Sequence, residues 1–311
     1  MKKVLVMGVN GTFGRHTAKA LMGKGFEVRA FMRDPQKVPS ELSSLEVIQG
    51  DVLDVESIKR ACLGIDVIVY GINPANYDWD NKAIPYLDHV ITVAEENEIA
   101  VVFPGNVYVF NPKDGSNFDE HAIQNPTTSK GRIRKVMEEH LQVAATRGLR
   151  VIILRMGNFI APDSKSSWLP LLIKANKDGY SLECPSNSRS VRVNWAYVPD
   201  AARVVAQLIS KFEVLPNFNV FHFEGFNISS DDLASSIRKI SGKEVNTKAF
   251  PWWFFRLGSP FSKLFKGLVE MRYLWDQEVS MKDTKLCALL DDDDFMFTDL
   301  DKALVESRLV R

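Results

Sequence analysis

The segment that most constrains the fold is a strand, a glycine loop and a helix at the start of the chain. Residues 4–7 (Val-Leu-Val-Met) are all apolar, which is typical of a strand buried on both faces of a sheet. Gly8, Gly11 and Gly14 follow at intervals of three, and apolar residues then recur at helical spacing as far as residue 22. This order predicts the first half of a dinucleotide-binding β-α-β unit.

Each of the three glycines has its own expected role. Gly8 permits the tight turn, Gly11 lets the backbone approach a pyrophosphate, and Gly14 lets the helix lie close to the sheet. The start of the helix offers N–H groups and a partial positive charge to phosphate. The alternative is an ordinary strand-to-helix turn. We expect a dinucleotide to be held by the loop residues Gly8, Asn10, Gly11, Thr12, Phe13 and Gly14.

The composition and the cysteine spacing limit the partners, the metal sites and the location that we expect. The chain has 311 residues, of which 45% are hydrophobic and 25% charged, as in an ordinary globular protein. Lys+Arg and Asp+Glu both total 39, so net charge gives no reason to expect nucleic acid or an anionic membrane as a partner. Three cysteines lie far apart without metal-ligand spacing (Cys62, Cys184 and Cys287). We therefore predict no metal site and a reduced, cytoplasmic location.

Strands and helices alternate through the first half of the chain, as a doubly wound parallel sheet requires. Strands are predicted over residues 4–7, 27–31, 45–49, 66–70, 100–103 and 150–154, and a long helix over residues 129–147. Beyond residue 157 the alternation ends, and helices are predicted near 199–211, 230–241 and 259–275. The predicted fold is a Rossmann-type α/β sheet of six or seven strands. Residues 1–160 would form the NAD(P)-binding core, and residues 161–311 mainly a smaller substrate lobe, with about 190–223 returning to the core.

Two segments of unusual composition lie in the second half. Residues 291–294 are four aspartates, and a solvated loop is predicted because adjacent carboxylates repel one another. Residues 250–268 are rich in Phe and Trp, with Arg256, Lys263 and Lys266 between them. This segment suits an amphipathic helix that closes a hydrophobic substrate lobe, or a monotopic membrane contact. We favour the first, so a membrane partner is not expected.

The end of the second strand bears on the choice of nucleotide. An arginine at this strand end, Arg33, can pair with a 2′-phosphate, which a carboxylate would repel. NADP(H) is therefore the preferred cofactor, while the neighbouring Asp34 keeps NAD(H) open or pairs with Arg33. Asp51 and Val52, after the third strand, are placed to hydrogen-bond an adenine edge.

Six stretches of the chain form a recognisable set: Gly8-x-x-Gly11-x-x-Gly14, Gly50-Asp51-Val52-x-Asp54, residues 103–110, Lys135-x-x-x-Glu139, residues 154–159 and residues 195–202. With them the sequence resembles the extended and atypical short-chain dehydrogenase/reductases, which include sugar-nucleotide epimerases and NmrA-like proteins. The resemblance covers roughly residues 1–210. It implies an NAD(P)-dependent oxidoreductase or epimerase-like enzyme, with further cofactor contacts from Gly71, Asn73, Lys135, Gly157, Asn158 and Phe159.

In that superfamily a Ser or Thr, a Tyr and a Lys four residues after the Tyr form the catalytic set. Asn106 falls at the Ser/Thr position and Lys135 at the lysine position, so the tyrosine position falls on Gly131. Reading Lys130 as the lysine places Pro126 there instead. The usual catalytic tyrosine is therefore predicted to be missing.

Three alternatives remain open for the chemistry. Tyr108 replaces the tyrosine as proton donor, since on one extended segment it would share a face with Asn106. Another acid or a water acts, with Asn106 polarising a carbonyl. Or the protein binds nucleotide without turnover, as a redox sensor resembling the NmrA-like regulators.

The substrate is expected on the side of the loop that follows the fourth strand, where open α/β sheets bind ligands. Tyr77 and Trp79 lie in this loop and either line the site or cap the core. Val193 stands where nucleotide-sugar epimerases typically carry an arginine, which favours a smaller or more apolar substrate. The long helices would suit a homodimer or solvent. Further substrate contacts are expected from Trp168, Trp195 and Tyr197.

Overall fold

A computed structural model describes residues 2–162, 167–290 and 295–311. Its centre is a seven-stranded parallel sheet with helices on both faces, so the predicted Rossmann-type α/β fold is confirmed. The predicted loop of four aspartates, 291–294, lies outside the described residues.

The strands in chain order are β1 (Lys3–Met7), β2 (Glu27–Met32), β3 (Glu46–Gln49), β4 (Val67–Tyr70), β5 (Ala100–Asn106), β6 (Asn117–Phe118), β7 (Val151–Met156), β8 (Asn158–Ile160), β9 (Ile173–Asn176), β10 (Gly179–Cys184), β11 (Val193–Tyr197), β12 (Phe218–Phe223), β13 (Phe226–Ile228), β14 (Glu244–Ala249) and β15 (Ser280–Met281). The central sheet has the order β12-β7-β5-β4-β1-β2-β3. Smaller sheets form from β14-β10-β9, β13-β11-β8 and β15-β6.

The helices are α1 (Thr12–Gly23), α2 (Val55–Ala61), α3 (Ala83–Glu96), α4 (Ser129–Thr146), α5 (Leu169–Leu172), α6 (Val198–Ser210), α7 (Ser230–Ser241), α8 (Trp252–Gly258), α9 (Lys263–Glu270), α10 (Tyr273–Asp276), α11 (Thr284–Leu290) and α12 (Leu300–Glu306). The single helix predicted over 259–275 is wrong. Residues 259–262 form a turn, and the side chain of Ser262 accepts a hydrogen bond from the Phe265 N–H to start α9.

The order of the strands fixes where a ligand can enter. Strand β1 pairs with β2 on one side and with β4 on the other, both in parallel. The loops that leave β1 and β4 therefore diverge to opposite faces and open a crevice at the carboxyl edge of the sheet. Residues 8–14 and 71–79 begin on the two sides of this crevice.

Apolar side chains fill both sides of the sheet. Residues of α1 and α6 pack on one face and residues of α2, α3 and α4 on the other. A separate aromatic core holds the C-terminal lobe together, with Trp168, Trp195 and Trp275 in contact. In the described part of the chain, no helix has the length and apolar character needed to cross a membrane.

Candidate functional site

A cradle of four glycines lies where the loops that follow β1 and β4 diverge. Gly8 has φ +81°, and a Cβ there would lie 2.5 Å from the Gly71 carbonyl oxygen. A Cβ on Gly14 would lie 2.4 Å from the Gly8 carbonyl oxygen, and one on Gly71 2.4 Å from that of Met7. Because these neighbours are backbone atoms, no side chain can replace the glycines without moving the main chain. With Gly11, they form what we call the glycine cradle.

The helix that follows the cradle presents its amino end to this space. Gly11 precedes α1 and supplies no capping side chain, and the first turn contains no acidic residue. The N–H groups of Phe13 and Gly14 in that turn have no acceptor within the helix. The Phe13 side chain is buried in the core, so only its backbone faces the crevice. The absence of side chains and the positive helix end fit a dinucleotide pyrophosphate.

At the end of β2, Arg33 is exposed and makes no ion pair with the described residues. Asp34 instead pairs with Lys37 at 3.0 Å and accepts a hydrogen bond from the Gln36 N–H. The alternative in which Asp34 neutralises Arg33 is therefore wrong. The Nη2 of Arg15 lies 3.5 Å from the Asn10 carbonyl oxygen, so a second guanidinium lies beside the cradle.

After β3, the predicted adenine contacts are partly engaged in local structure. The Asp51 carboxylate accepts a hydrogen bond from the Leu53 N–H at 3.0 Å. The Val52 carbonyl oxygen lies 2.9 Å from His89 Nδ1, and the Val52 side chain is buried. The adenine role of both residues stays a prediction.

The segment after β5 turns sharply instead of continuing extended. The Asn106 carboxamide oxygen accepts a hydrogen bond from the Tyr108 N–H at 3.1 Å and caps one turn of 3₁₀ helix over Val107–Val109. The expectation that Asn106 and Tyr108 share a face of one extended segment is therefore wrong. The turn nevertheless leaves both residues at the carboxyl edge of β5.

Tyr108 belongs to a group of side chains that we call the tyrosine cluster: Tyr77, Trp79, Tyr108 and Arg134. The Tyr108 and Tyr77 hydroxyls are 3.4 Å apart, and the Tyr108 ring stacks on Trp79 with centroids 6.2 Å apart. The Arg134 guanidinium lies over the Trp79 ring, 4.9 Å from its centroid. Among the described residues its Nε–H has no hydrogen-bond partner, whereas an Nη1–H is directed to the Pro104 carbonyl oxygen at 3.3 Å.

The hydrogen bond between Tyr77 and Tyr108 acts in opposite directions on the pKa values of the two tyrosines. Burial raises the pKa of Tyr77 and of Tyr108, so both hydroxyls keep their protons at neutral pH. Their mutual hydrogen bond and the nearby Arg134 charge lower the pKa of Tyr108, while the same hydrogen bond raises that of Tyr77. The hydrogen bond thus favours ionisation of Tyr108 over ionisation of Tyr77, and a proton-transfer role for Tyr108 stays a prediction.

The loop after β4 is held in an uncommon backbone conformation. Asn76 and Tyr77 have φ values of 57° and 55°, in the left-handed region that an aromatic residue rarely adopts. The Tyr77 ring packs closely on α9, since a Cβ on Gly267 would lie 2.5 Å from it. Trp79 is buried and donates its indole N–H to the Pro74 carbonyl oxygen, so it supports the loop from below.

Helix α4 places Lys135 away from the tyrosine cluster, which corrects the predicted catalytic lysine. The Lys135 side chain is 38% exposed and pairs with Glu139 at 3.7 Å. It lines a surface pocket of about 310 Å³ beside Phe218 and Val220 of β12. One residue along a helix is a rotation of about 100°. The buried charged stripe of α4 instead consists of Lys130, Arg134 and Glu138.

The first turn of α4 explains the glycine at the predicted tyrosine position. A Cβ on Gly131 would lie 2.4 Å from the Tyr108 carbonyl oxygen, so no side chain fits there. Lys130 is buried, with its Nζ 3.5 Å from the Asp80 carboxylate and its N–H donating to Glu270. Gly131 therefore lets α4 pack against the turn that carries Tyr108.

A buried ionic network lies under this helix. The Arg155 guanidinium donates to both oxygens of the Glu138 carboxylate, with the shortest distance 2.7 Å. Arg155 also donates to His222 Nε2 at 3.2 Å, which requires that nitrogen to be unprotonated. Burial, followed by the Arg155 charge, lowers the pKa of His222 to about 3. The network fixes α4 on β7 and β12.

The helical periodicity of the sequence indicates that Arg134 and Glu138 face inward, which the family motif does not. They have the same four-residue spacing as Lys135 and Glu139. The apolar residues Met137, Leu141 and Ala144 continue their stripe at helical spacing. That periodicity favours Arg134 and Glu138 as the inward-facing pair.

The other predicted cofactor residues are Asn73, Gly157, Asn158 and Phe159, and most of them make local contacts within the protein. Asn73 is exposed at the start of the loop after β4. A Cβ on Gly157 would lie 2.2 Å from the Asn194 carbonyl oxygen, so this glycine lets β11 pass close by. The Asn158 carboxamide nitrogen lies 3.5 Å from the same oxygen, and Phe159 packs against the core. Their contact with a cofactor stays a prediction.

Three predicted substrate residues are packed inside the C-terminal core instead of lining an open cleft. Trp168, Trp195 and Tyr197 are all buried, and the Tyr197 hydroxyl donates to the Glu306 carboxylate. The rings of Trp168 and Trp195 both contact Trp275. The prediction is corrected because long-range aromatic contacts, which the sequence does not display, occupy these side chains.

Comparison with known proteins identifies the family. Residues 4–222 match the NAD dependent epimerase/dehydratase family. The chain belongs to this family. The resemblance to extended short-chain dehydrogenase/reductases is thereby confirmed, and the family is one of NAD-dependent enzymes.

Similar proteins add detail about the fold. The chain is 38% identical over 68 residues to a 3 beta-hydroxysteroid dehydrogenase/Delta 5→4-isomerase of Mycobacterium tuberculosis, a match that spans 22% of this chain and 18% of that protein. A nucleoside-diphosphate-sugar epimerase from Staphylococcus aureus has a TM-score of 0.69 at 20% identity, over 98% of this chain and 100% of that one. UDP-glucose 4-epimerase from Brucella ovis in complex with NAD has a TM-score of 0.75 at 17% identity, over 98% and 96%. At these identities the structural likeness concerns the fold.

Proposed function

We propose that this protein is an NAD(P)-dependent oxidoreductase or epimerase-like enzyme that acts on a small carbonyl or hydroxyl compound. The observation that carries the proposal is the tyrosine cluster, which places a hydroxyl-bearing pair at the same sheet edge as the glycine cradle. The family assignment supports a nicotinamide cofactor. The aromatic surroundings and the local similarity to hydroxysteroid dehydrogenases support a substrate of largely apolar character.

Two separate sets of residues would contact the pyrophosphate of the cofactor and the reacting groups near its nicotinamide. The glycine cradle and the first turn of α1 would hold the pyrophosphate. When bound, the nicotinamide would accept or donate a hydride. Arg134, whose Nε–H has no hydrogen-bond partner among the described residues, would bind a hydroxyl or carbonyl oxygen near the tyrosine cluster.

Tyr108 would transfer the proton. Its hydroxyl is protonated at neutral pH because burial raises its pKa, so it can donate to a substrate oxygen. The Tyr77 hydroxyl, 3.4 Å away, can then donate to the phenolate that is left. Asn106 holds the turn that positions Tyr108, through its hydrogen bond to the Tyr108 N–H.

Replacement of the hydroxyl tests this assignment. We expect Tyr108→Phe to lower kcat by about 100-fold to 10,000-fold in a nicotinamide absorbance assay against aldehydes, ketones and quinones. The matched control is Tyr86→Phe, on α3, which we expect to retain the wild-type rate. An unchanged rate in Tyr108→Phe would exclude it as proton donor. Absence of wild-type turnover across the panel, together with nucleotide binding, would instead favour the non-catalytic redox sensor.

We further propose a preference for NADP(H) over NAD(H). It is supported by Arg33 at the end of β2, which is exposed and forms no ion pair within the described part of the chain, with Arg15 beside the cradle. Arg33→Ala is expected to weaken NADPH binding by about 10-fold to 100-fold, because a charge-assisted contact is lost. NADH affinity should change less than about threefold. The matched control is Arg238→Ala on the distant helix α7, and equal losses for both nucleotides in isothermal titration would refute the preference.

We also propose a cytoplasmic location. Cys62 and Cys184 are free thiols, as a reducing compartment would keep them. Cys62 and Cys184 are buried, whereas Cys287 is exposed.

A further inference from the structure

Helices α8 and α9 and the turn at 259–262 form a hairpin that we call the aromatic hairpin. One of its sides closes the C-terminal lobe as the sequence suggested, with Trp252 and Leu268 in the buried core. Its other side is exposed. Phe261, in the turn, is 92% exposed and Trp253 is 67% exposed. The large apolar residues on the exposed side are Trp253, Phe254, Leu257, Phe261 and Leu264.

Ring contacts and helical spacing connect several of these residues, and we call the exposed apolar side of the hairpin the patch. The Trp253 and Phe254 rings have centroids 6.1 Å apart, and Phe254 contacts Phe265 of α9 at 5.6 Å. Leu257 lies one helical turn after Phe254 and Trp253, on the same side of α8. Soluble monomers rarely expose so many large apolar side chains together, so the patch indicates an interaction surface.

The charged residues within the hairpin segment are all basic, and one of them, Lys263, pairs with Asp78 of the neighbouring loop. Arg256, Lys263 and Lys266 are the only charged residues between positions 250 and 269, whereas the whole chain has zero net charge. All three are exposed. Aromatic and aliphatic side chains flanked by basic residues are typical of segments that lie in the interface of a bilayer with anionic headgroups.

We propose that the aromatic hairpin docks on a bilayer that contains anionic lipid, with Phe261 and the neighbouring apolar residues in the headgroup region. A symmetric pairing of two copies through this surface would bring Arg256 and Lys266 of both copies together, four positive charges in all, which disfavours a dimer here. The exposed tip at Phe261 also suits insertion better than a flat protein contact.

The hairpin lies against the proposed substrate loop. Gly267 of α9 packs on the Tyr77 ring, and Lys263 pairs with Asp78 at 2.6 Å. Docking would therefore bring the loop after β4 close to the lipid surface. The proposal extends the proposed function but stands without it, because lipid binding can be measured without any turnover.

Vesicle co-sedimentation tests the proposal. The full chain should bind vesicles of phosphatidylcholine with about a third phosphatidylglycerol, and bind weakly to phosphatidylcholine alone. We expect Leu257→Ser/Phe261→Ser to lower the partition coefficient by more than about tenfold, since two exposed apolar side chains no longer enter the interface. Arg256→Gln/Lys266→Gln should lower it by about 25-fold, about fivefold for each charge. Lys263 is left in place because it pairs with Asp78.

Matched controls separate this surface from general stickiness. Val214→Ser and Lys24→Gln/Lys177→Gln change exposed apolar and basic residues elsewhere and should bind vesicles as the wild type does. Because every substituted side chain is exposed, circular dichroism should be unchanged for all variants. Failure of the wild type to bind anionic vesicles would overturn the proposal. So would a dimer in light scattering that Leu257→Ser/Phe261→Ser converts to monomer, because a second copy would then cover the patch.

Discussion

The glycine cradle and the tyrosine cluster lie at the same edge of the sheet, but main-chain atoms form the first and side chains form the second. The cradle is made by main-chain atoms that approach within van der Waals contact, so its requirement is the absence of side chains. The cluster is made by side chains from three separate segments, held by ring contacts and a buried cation. The first kind of site is sensitive to any added atom. The second is sensitive to lost charge and hydroxyl groups, and to the ionic network beneath it.

The largest effect is expected in the network under the cluster. Glu138→Gln should lower the free energy of unfolding by about 3–5 kcal/mol, because Arg155 would remain buried without a countercharge. The neighbouring Glu139→Gln is the matched control and should change it by less than about 0.5 kcal/mol, since its pair with Lys135 is solvent-exposed. Urea unfolding measures both. Equal effects would show that the buried and exposed stripes of α4 are not distinct.

A smaller loss of stability, with a specific loss of binding, is expected in the cradle. Gly14→Ala should weaken nucleotide binding by more than about 100-fold and lower the free energy of unfolding by about 2–3 kcal/mol, because its Cβ meets the Gly8 backbone. Gly23→Ala in the same helix has open space around its Cβ and should stabilise by up to about 1 kcal/mol. Nucleotide titration and thermal unfolding distinguish the two. Tight binding by Gly14→Ala would place the pyrophosphate elsewhere.

The smallest of these effects is a pH dependence. His222 has its pKa lowered to about 3 from 6.5 in the unfolded chain, so the unfolded state binds the extra proton first as pH falls. Stability from this residue is therefore present above about pH 6.5 and falls by about 2 kcal/mol between pH 7 and pH 5. His222→Gln, which keeps an acceptor for Arg155, should flatten that part of the profile. A wild-type stability that is constant from pH 7 to 5 would contradict the neutral, buried imidazole.

The same contrast explains what could be predicted from the sequence. The strands, the cradle and α1 are specified by local signals, namely apolar runs, glycine spacing and helical periodicity. Motif spacing alone favours Lys135, although Arg134 and Glu138 have the same four-residue spacing as Lys135 and Glu139. Only the burial of Met137 and Leu141 decides which pair faces inward.

Other features depend on contacts between distant residues. The Asn106 side chain caps the 3₁₀ turn at Tyr108. The local sequence is equally compatible with extended backbone, so it does not predict this turn. Trp168 and Trp195 contact Trp275, which lies 107 and 80 positions further along the chain, and no local pattern encodes these contacts. Tyr77 likewise owes its conformation to Gly267 and Tyr108.

The left-handed backbone at Tyr77 has a further consequence. This one side chain packs against the apolar clusters on the α2–α4 face of the sheet, in the C-terminal lobe and around Phe110, and it also bonds the Tyr108 hydroxyl. A displacement of α9 that moves the Tyr77 ring would change the hydrogen bond between Tyr77 and Tyr108, and a ligand that moves Tyr108 would change the contact between Tyr77 and α9. Where such a displacement occurs, thermodynamic linkage makes the two effects equal in free energy. Tyr77 therefore connects the exposed hairpin with the buried hydroxyl.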